Sequence, residues 1–195
     1  IVGNASNGVV KLLLSRGEGN RGYMPPETPT VTRVLSFYPS ASTFEKTLGS
    51  CSLILCHTRL ARQPVLAGIK HLNQLERVMA RAELKDKSSE GLMLDTDGLV
   101  IEGTMSNLFI FKNSALIKPQ LNNWGVHGTI KEYLRQAAKR DNIEFKECEL
   151  SLEDVKSADE VFMTNSLMPL RSVDRLMVSD VTYNMEKGCV SQCAF

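Results

Sequence analysis

The chain has 195 residues, 43% of them hydrophobic and 23% charged, with 13 Gly and 7 Pro, which excludes collagen-like, low-complexity and disordered classes and suffices for one good core. Lys and Arg number 23 against 22 Asp and Glu, a net charge of +1, so no whole-molecule field favours nucleic acid or anionic lipid. No apolar run approaches the roughly 18 residues that span a bilayer, and the opening residues lack the basic and apolar regions of a signal peptide.

Residues 9–15 (VVKLLLS) are an apolar run of strand length, residues 30–38 (TVTRVLSFY) alternate and are β-branched, and residues 51–58 (CSLILCHT) form a third apolar run. Between the first two lies Gly17-Glu18-Gly19-Asn20-Arg21-Gly22, followed by Pro25, Pro26 and Pro29. The glycines match a dinucleotide fingerprint literally, but that fingerprint needs a helix after its third glycine, and the prolines forbid one in register. A long turn is expected instead. From residue 71 the period changes: Leu72, Leu75, Met79 and Ala82 fall at helical spacing, with Glu76, Arg77, Arg81 and Glu83 around the other faces. This predicts an amphipathic helix over 71–85.

Residues 91–94, 99–102, 107–111 and 115–118 are short strands joined by Asp97-Gly98 and Lys112-Asn113-Ser114 turns, which predicts a meander. Thr129-Ile130-Lys131-Glu132 has the form of a capping box opening a helix through Arg140, with Ile130, Tyr133, Leu134, Ala137 and Ala138 inward. A strand over 143–150, a short helix opening at Ser151 and a buried strand over 160–164 follow. Strand clusters punctuated by three helices make a single α+β domain over 1–195 rather than a repeating βαβ sheet. Five cysteines (Cys51, Cys56, Cys148, Cys189, Cys193) without a CxxC pair suit reduced thiols in a cytoplasm, and His57, His71 and His127 are not spaced as a zinc site, so no metal is expected.

Four segments carry candidate chemistry. Lys70 ends an uncharged stretch, residues 63–69, just before the predicted helix. A lysine held among apolar neighbours has a lowered pKa, and its neutral amine condenses with an aldehyde such as that of pyridoxal phosphate (PLP); otherwise it is a solvated surface lysine. Glu102 sits between apolar Ile101 and a turn of small residues, Gly103, Thr104, Ser106 and Asn107. There a buried carboxylate suits a pyridinium nitrogen, though a lone glutamate at a strand end is usually exposed. Trp124-Gly125-Val126-His127-Gly128-Thr129-Ile130 runs straight into a helix, where free amides and the helix dipole favour a phosphate; a plain helix capped by Thr129 explains it equally. Thr164-Asn165-Ser166 offers hydroxyl, amide and backbone donors at a strand end, or is an ordinary turn.

Taken together and in this order, these segments resemble the class IV aminotransferase family (PLP fold type IV). Leu66-Ala67-Gly68-Ile69-Lys70-His71-Leu72-Asn73-Gln74-Leu75-Glu76 and Thr164-Asn165-Ser166-Leu167-Met168-Pro169 are most similar to the family's aminodeoxychorismate lyase branch. Ser15-Arg16-Gly17-Glu18-Gly19-Asn20-Arg21-Gly22-Tyr23, Glu102 with Ser106-Asn107-Leu108-Phe109, and Gly125-Val126-His127-Gly128 extend the likeness from about residue 8 to residue 173. The resemblance implies the larger domain of a D-amino-acid aminotransferase-like fold, a mostly antiparallel or mixed β-sheet pseudo-barrel with packed helices. It implies PLP as cofactor, with Lys70 condensing with the aldehyde and Glu102 on the pyridine nitrogen. Gly128 with the amides of Thr129 and Ile130, and Asn165 and Ser166, would hold the phosphate. Arg16 would take a substrate carboxylate, with Arg21 and Arg59 weaker candidates. The substrate implied is 4-amino-4-deoxychorismate, giving 4-aminobenzoate and pyruvate, in a cytoplasmic homodimer. The smaller N-terminal domain of family members is not among these 195 residues, and since the first residue is not Met the chain is expected to begin partway through a longer product. A branched-chain or D-amino-acid transaminase of the same fold and an inactive remnant or binding module are the alternatives.

Overall fold

The computed structural model describes residues 7–39, 48–86, 89–186 and 188, and the chain divides into two compact units, Ile1–Glu45 and Lys46–Phe195. The first contains one antiparallel pair, β1 (Gly8–Ser15) and β2 (Thr32–Pro39), in continuous register from Gly8 opposite Pro39 to Ser15 opposite Thr32. Residues 16–31 connect them without helix or strand, so the glycine-rich stretch is the long turn expected of it. Gly17 has φ +92°, and a Cβ there would lie 1.9 Å from the Thr30 carbonyl oxygen, so the turn closes only with glycine at this point.

The second unit is a mixed sheet with three helices. Its elements are β3 (Leu48–Leu55), α1 (Leu75–Ala82), β4 (Glu90–Leu94), β5 (Val100–Gly103), β6 (Asn107–Lys112), β7 (Ala115–Pro119), α2 (Ile130–Arg140), β8 (Glu144–Cys148), α3 (Leu152–Lys156), β9 (Glu160–Thr164), β10 (Arg171–Val178) and β11 (Val181–Asn184). Strand order is β5-β4-β3-β10-β9-β6-β7-β8, with β11 beside β10, and β5 also packs back against β6 and β7, so the sheet curls into a half-barrel. Three of the pairings, β3 with β10, β3 with β4 and β7 with β8, are parallel. The α+β class with a mixed, curled sheet therefore holds.

The meander does not. β4–β5 and β6–β7 are hairpins, but β6 pairs with β9 rather than β5, and three strands separate the two hairpins in the sheet. Short turn-linked strands reveal hairpins because those are local; the pairing of β6 with β9, over fifty residues on, leaves no local signal. β10, whose partner β3 lies far back in the chain, and β11, which closes on β10 as a local hairpin at residues 179–180, lie beyond the last predicted strand.

Alternation along the strands separates two faces. Leu92 and Leu94 on β4, Leu108 and Ile110 on β6, and Val161 and Met163 on β9 join Leu53, Val173 and Leu176 in the inner core. On the outer face, Met93 and Ile101 pack with Ala80 of α1 and with Trp124, while Phe109 and Phe162 stack at 5.5 Å beneath Leu134 and Ala138 of α2. β4 and β9 are buried along their whole length because both faces are covered.

Two helices differ from expectation in how they are used. α1 runs only from Leu75 to Ala82, and its apolar stripe faces out: Leu72, Leu75 and Met79 are 66%, 65% and 55% exposed. Its polar face is the one that engages the sheet and its loops. Glu76 accepts the Ala61 amide, and Glu83 accepts the amides of His57 and Thr58 and the Thr58 hydroxyl, so the carboxylates satisfy a loop that has no ladder of its own. α2 does run from Ile130 to Arg140, but the capping box is not formed: Thr129 is helical (φ −67°, ψ −28°) with no side-chain cap, and Glu132 pairs with Arg135 instead. Leu134, Ala137 and Ala138 face inward as expected and Ile130 is half-buried, whereas Tyr133 is exposed. α3 opens on a true capping box between Ser151 and Asp154.

Cys51, Cys56 and Cys148 are free thiols, and burial pushes Cys51 up to about 11 and Cys56 up to about 12, which suits packing rather than nucleophilic work. Cys189 and Cys193 lie outside the described residues. Among the described residues no helix is long and apolar enough to cross a membrane, and no group of three His, Cys, Asp or Glu side chains could hold a metal.

Candidate active site

A cleft of about 750 Å³ opens on the α1 side of the sheet, a volume suited to a small organic ligand. Its lining comes wholly from the second unit: the 68–70 segment, one face of α1, the β5–β6 turn, the loop before α2, and Asn165 with Ser166. Lys70, Glu102, Gly128, Thr129, Asn165 and Ser166, separated by up to 96 positions in the chain, thus share one concavity.

Glu102 reaches the cleft through a bulge. Val100 pairs with Leu94 and Glu102 with Met93, so one step along β4 spans two residues of β5. The extra residue, Ile101, breaks the alternation, and both it and Glu102 turn toward α1. Regular pairing would aim Glu102 into the inner core. As built, Glu102 is 3% exposed; its Oε2 accepts from Asn107 Nδ2 and from the Val126 amide, each at 3.1 Å, and its Oε1 accepts from Arg77. Burial pushes this carboxyl up, against the pull of Arg77, the Val126 amide and Lys118.

Beneath the turn, Glu90 is 2% exposed and accepts from the amides of Gly91 and Thr104 and from the hydroxyls of Thr104 and Ser106. It ties the 104–106 turn to β4 and so fixes the wall on which Asn107 stands.

The Lys70 segment is clamped on the loop before α2. The Gly68 amide donates to Gly125 O at 3.0 Å, and His127 N–H donates to Gly68 O at 3.1 Å. Gly68 has φ +79°, and a Cβ there would lie 2.2 Å from the His127 ring. Two residues later Lys70 stands at the lip. It is exposed, not sheltered among apolar side chains, because its neighbours Ile69 and Leu72 also turn outward. His127 itself flanks the cleft, and burial, with Lys131 and Lys118 nearby, holds its imidazole below the usual range.

At the opposite end Gly128 packs against Asn107, and a Cβ there would lie 1.8 Å from Asn107 Oδ1. α2 has no side-chain cap at Thr129, and the Lys131 amide of its first turn donates to Gly128 O at 3.3 Å. Ile130, expected at the phosphate, does not line the cleft; its side chain packs into the core beneath α2. Asn165 is committed to its own turn: Oδ1 accepts the amides of Leu167 and Met168 at 2.9 and 2.8 Å, and Nδ2 donates to Met105 O. It positions the turn, on which Ser166 also lines the cleft. Arg16 and Arg21 are exposed in the first unit; Arg59, in the second, is exposed with Nη1 on Cys56 O at 3.0 Å and does not line the cleft.

Sequence reasoning missed Arg77 and Asn107 as site residues. Burial of Glu102 implies a cation and donors beside it, but nothing in the spacing picks Arg77 out of 23 lysines and arginines. For Asn107 the signal existed, in the small-residue turn that follows Glu102.

Gly128→Ala is expected to push Asn107 off Glu102 and Val126 O, and so to lower stability by about 1–3 kcal/mol through overpacking. Urea unfolding of the unloaded protein checks this.

The chain is 35% identical over 167 residues to an aminodeoxychorismate lyase of Vibrio harveyi, covering 84% of this chain and 61% of that protein. It is 27% identical to a branched-chain-amino-acid aminotransferase of Escherichia coli K12, covering 91% and 60%. The crystal structure of 4-amino-4-deoxychorismate lyase from Pseudomonas aeruginosa superposes with a TM-score of 0.84 at 37% identity, covering 96% of this chain and 69% of that one. The chain thus spans about three fifths of the length of the curated relatives it matches. Since the description of Amino-transferase class IV also matches residues 2–176, nearly the whole length, the chain belongs to the class IV amino-transferase family.

Proposed function

We propose that the cleft binds pyridoxal 5'-phosphate and that the chain is the cofactor-binding part of a lyase that converts 4-amino-4-deoxychorismate to 4-aminobenzoate and pyruvate, in a cytoplasmic homodimer. The observation that carries the reading is the shared cleft: an amine at its lip (Lys70), a carboxyl acceptor at its floor (Glu102), and hydroxyl-bearing Thr129 and Ser166 at its far end. That donor set fits PLP group by group, to an aldehyde, a ring nitrogen and a phosphate, and the volume accommodates a flat heterocycle with a substrate beside it. When bound, PLP supplies an electrophilic aldehyde and a sink for electrons.

The chain's own residues do the rest. Lys70 Nζ would hold the aldehyde and, when free, would be the base that takes the proton from the substrate carbon bearing the amine. Glu102 would face the ring nitrogen and keep it protonated. Gly128, where the loop passes close to Asn107, the amides of Thr129 and Ile130, and Ser166 on the turn that Asn165 holds would take the phosphate. Arg16 is assigned one substrate carboxylate through a bidentate pair. The ring C–O bond would break, the leaving enolpyruvate would take a proton at its methylene carbon to become pyruvate, and the ring left behind is aromatic, which drives the step.

The test is a titration with PLP followed by absorbance, then 4-aminobenzoate release from 4-amino-4-deoxychorismate with no amino acceptor present. A new absorbance band and acceptor-independent release are expected. No spectral change would mark an inactive remnant, and turnover only with 2-oxoglutarate or pyruvate would mark a transaminase.

A further inference from the structure

We infer that Arg77 is a positioning residue of this site: entering from α1, its guanidinium holds the Glu102 carboxylate charged and oriented for the ring nitrogen of a bound heterocycle. The inference rests on the PLP reading above. Both acceptor positions of Glu102 Oε2 are taken, by Asn107 Nδ2 and the Val126 amide at 3.1 Å each. Oε1 has Arg77 as its partner and one lone pair to spare, so it is the atom left for a ligand. Pinning both oxygens fixes the plane of the carboxylate, and with it the direction of that lone pair.

Arg77 is itself held. Its Nη1 donates to Gln74 Oε1 at 2.6 Å, and Gln74 Nε2 donates to His71 O at 2.9 Å, so a chain of contacts runs from the residue after Lys70 to Glu102. Glu102 and Arg77 both line the cleft, and their side chains are 4% and 14% exposed. The other groups facing Glu102 supply less charge. Asn107 from β6 is neutral, and Lys118 from β7 is committed to Pro119 O at 3.0 Å and Glu147 at 3.5 Å. Against the upward push of burial, Arg77 is the strongest downward pull on the carboxyl. Without it Glu102 takes up a proton more readily, and a protonated carboxyl no longer offers the charge that holds a pyridinium.

The experiment follows Glu102 protonation in the unloaded protein by infrared difference spectroscopy of carbon-13-labelled carboxyls, with Glu102→Gln as the blank. Arg77→Gln is expected to raise the Glu102 midpoint by about one to three pH units. Arg77→Lys, which keeps the charge but not the planar fork, is expected to raise it less. An unchanged midpoint in Arg77→Gln overturns the inference. Should that variant not fold, the wild-type protein decides: the Arg77 guanidinium resonances must titrate with the Glu102 midpoint, and independent titration overturns it equally. PLP is then added to the wild type and to Arg77→Gln. A wild type that takes up no PLP sinks the PLP reading while the unloaded titration still stands as the test of Arg77. Uptake by the wild type with an unshifted Glu102 midpoint in the variant sinks the role of Arg77 alone.

Discussion

Lys70→Ala is expected to leave the fold intact and to abolish both turnover and covalent retention of PLP. The first part follows from placement. Lys70 is exposed at the lip, and the segment is held by backbone bonds at Gly68 and His127, so truncating the side chain is expected to change stability by only about 0.5 kcal/mol. The second follows from chemistry, because one amine serves both as the carbonyl partner and as the base. Proton transfer alone is worth about 10²–10⁴-fold, and loss of the condensing amine removes the path altogether. Borohydride reduction of the loaded protein, digestion and mass spectrometry check the assignment: cofactor mass is expected on the peptide containing Lys70 and on none in the variant. Cofactor mass retained on another lysine would refute the assignment. Lys118 is the natural competitor, since burial depresses its pKa, but it is 1% exposed, bonded to Pro119 O, and does not line the cleft.

What was legible in the sequence divides by range. Local signals survived: the strands at 9–15 and 160–164, the hairpin turns at Asp97-Gly98 and Asn113-Ser114, and the extent of α2. Pairings between distant strands were not legible, so two hairpins passed for a meander. The site was legible as a set of segments because glycines and small residues flag places where backbone approaches backbone, as Gly68 does against His127 and Gly128 against Asn107. Its wiring was not. The bulge at Ile101 that turns Glu102 toward α1 is a register fact, and register depends on the partner strand. α1 is the sharpest case: helical spacing marks an apolar stripe and, around it, a polar face. In the structure that face carries Arg77 and Arg81 into the cleft and Glu76 and Glu83 onto loop amides. Periodicity shows that a helix has two faces; only the partners decide which one is buried.

Glu102→Gln is expected to keep PLP bound while cutting turnover by about 10²–10⁴-fold. The carboxylate is built to accept everywhere: Asn107 Nδ2 and the Val126 amide donate to Oε2, and Arg77 donates to Oε1. A glutamine in its place has one accepting oxygen and one donating NH2. With its oxygen toward Asn107 and Val126 it keeps two bonds, and its NH2 then faces Arg77 and the ring nitrogen. With its oxygen toward Arg77, the NH2 opposes two buried donors that have no way to turn to water. The first orientation is favoured, because Arg77 is partly exposed and can relax. The ring nitrogen then meets a donor in place of an anion, gives up its proton, and withdraws electrons less strongly at the step that removes the substrate proton. Binding survives because the phosphate end and Lys70 are untouched. Cofactor content and single-turnover rate, measured on the same preparation, separate the two effects. Full cofactor content with a slowed rate is expected, and unchanged turnover would show that another residue faces the ring nitrogen.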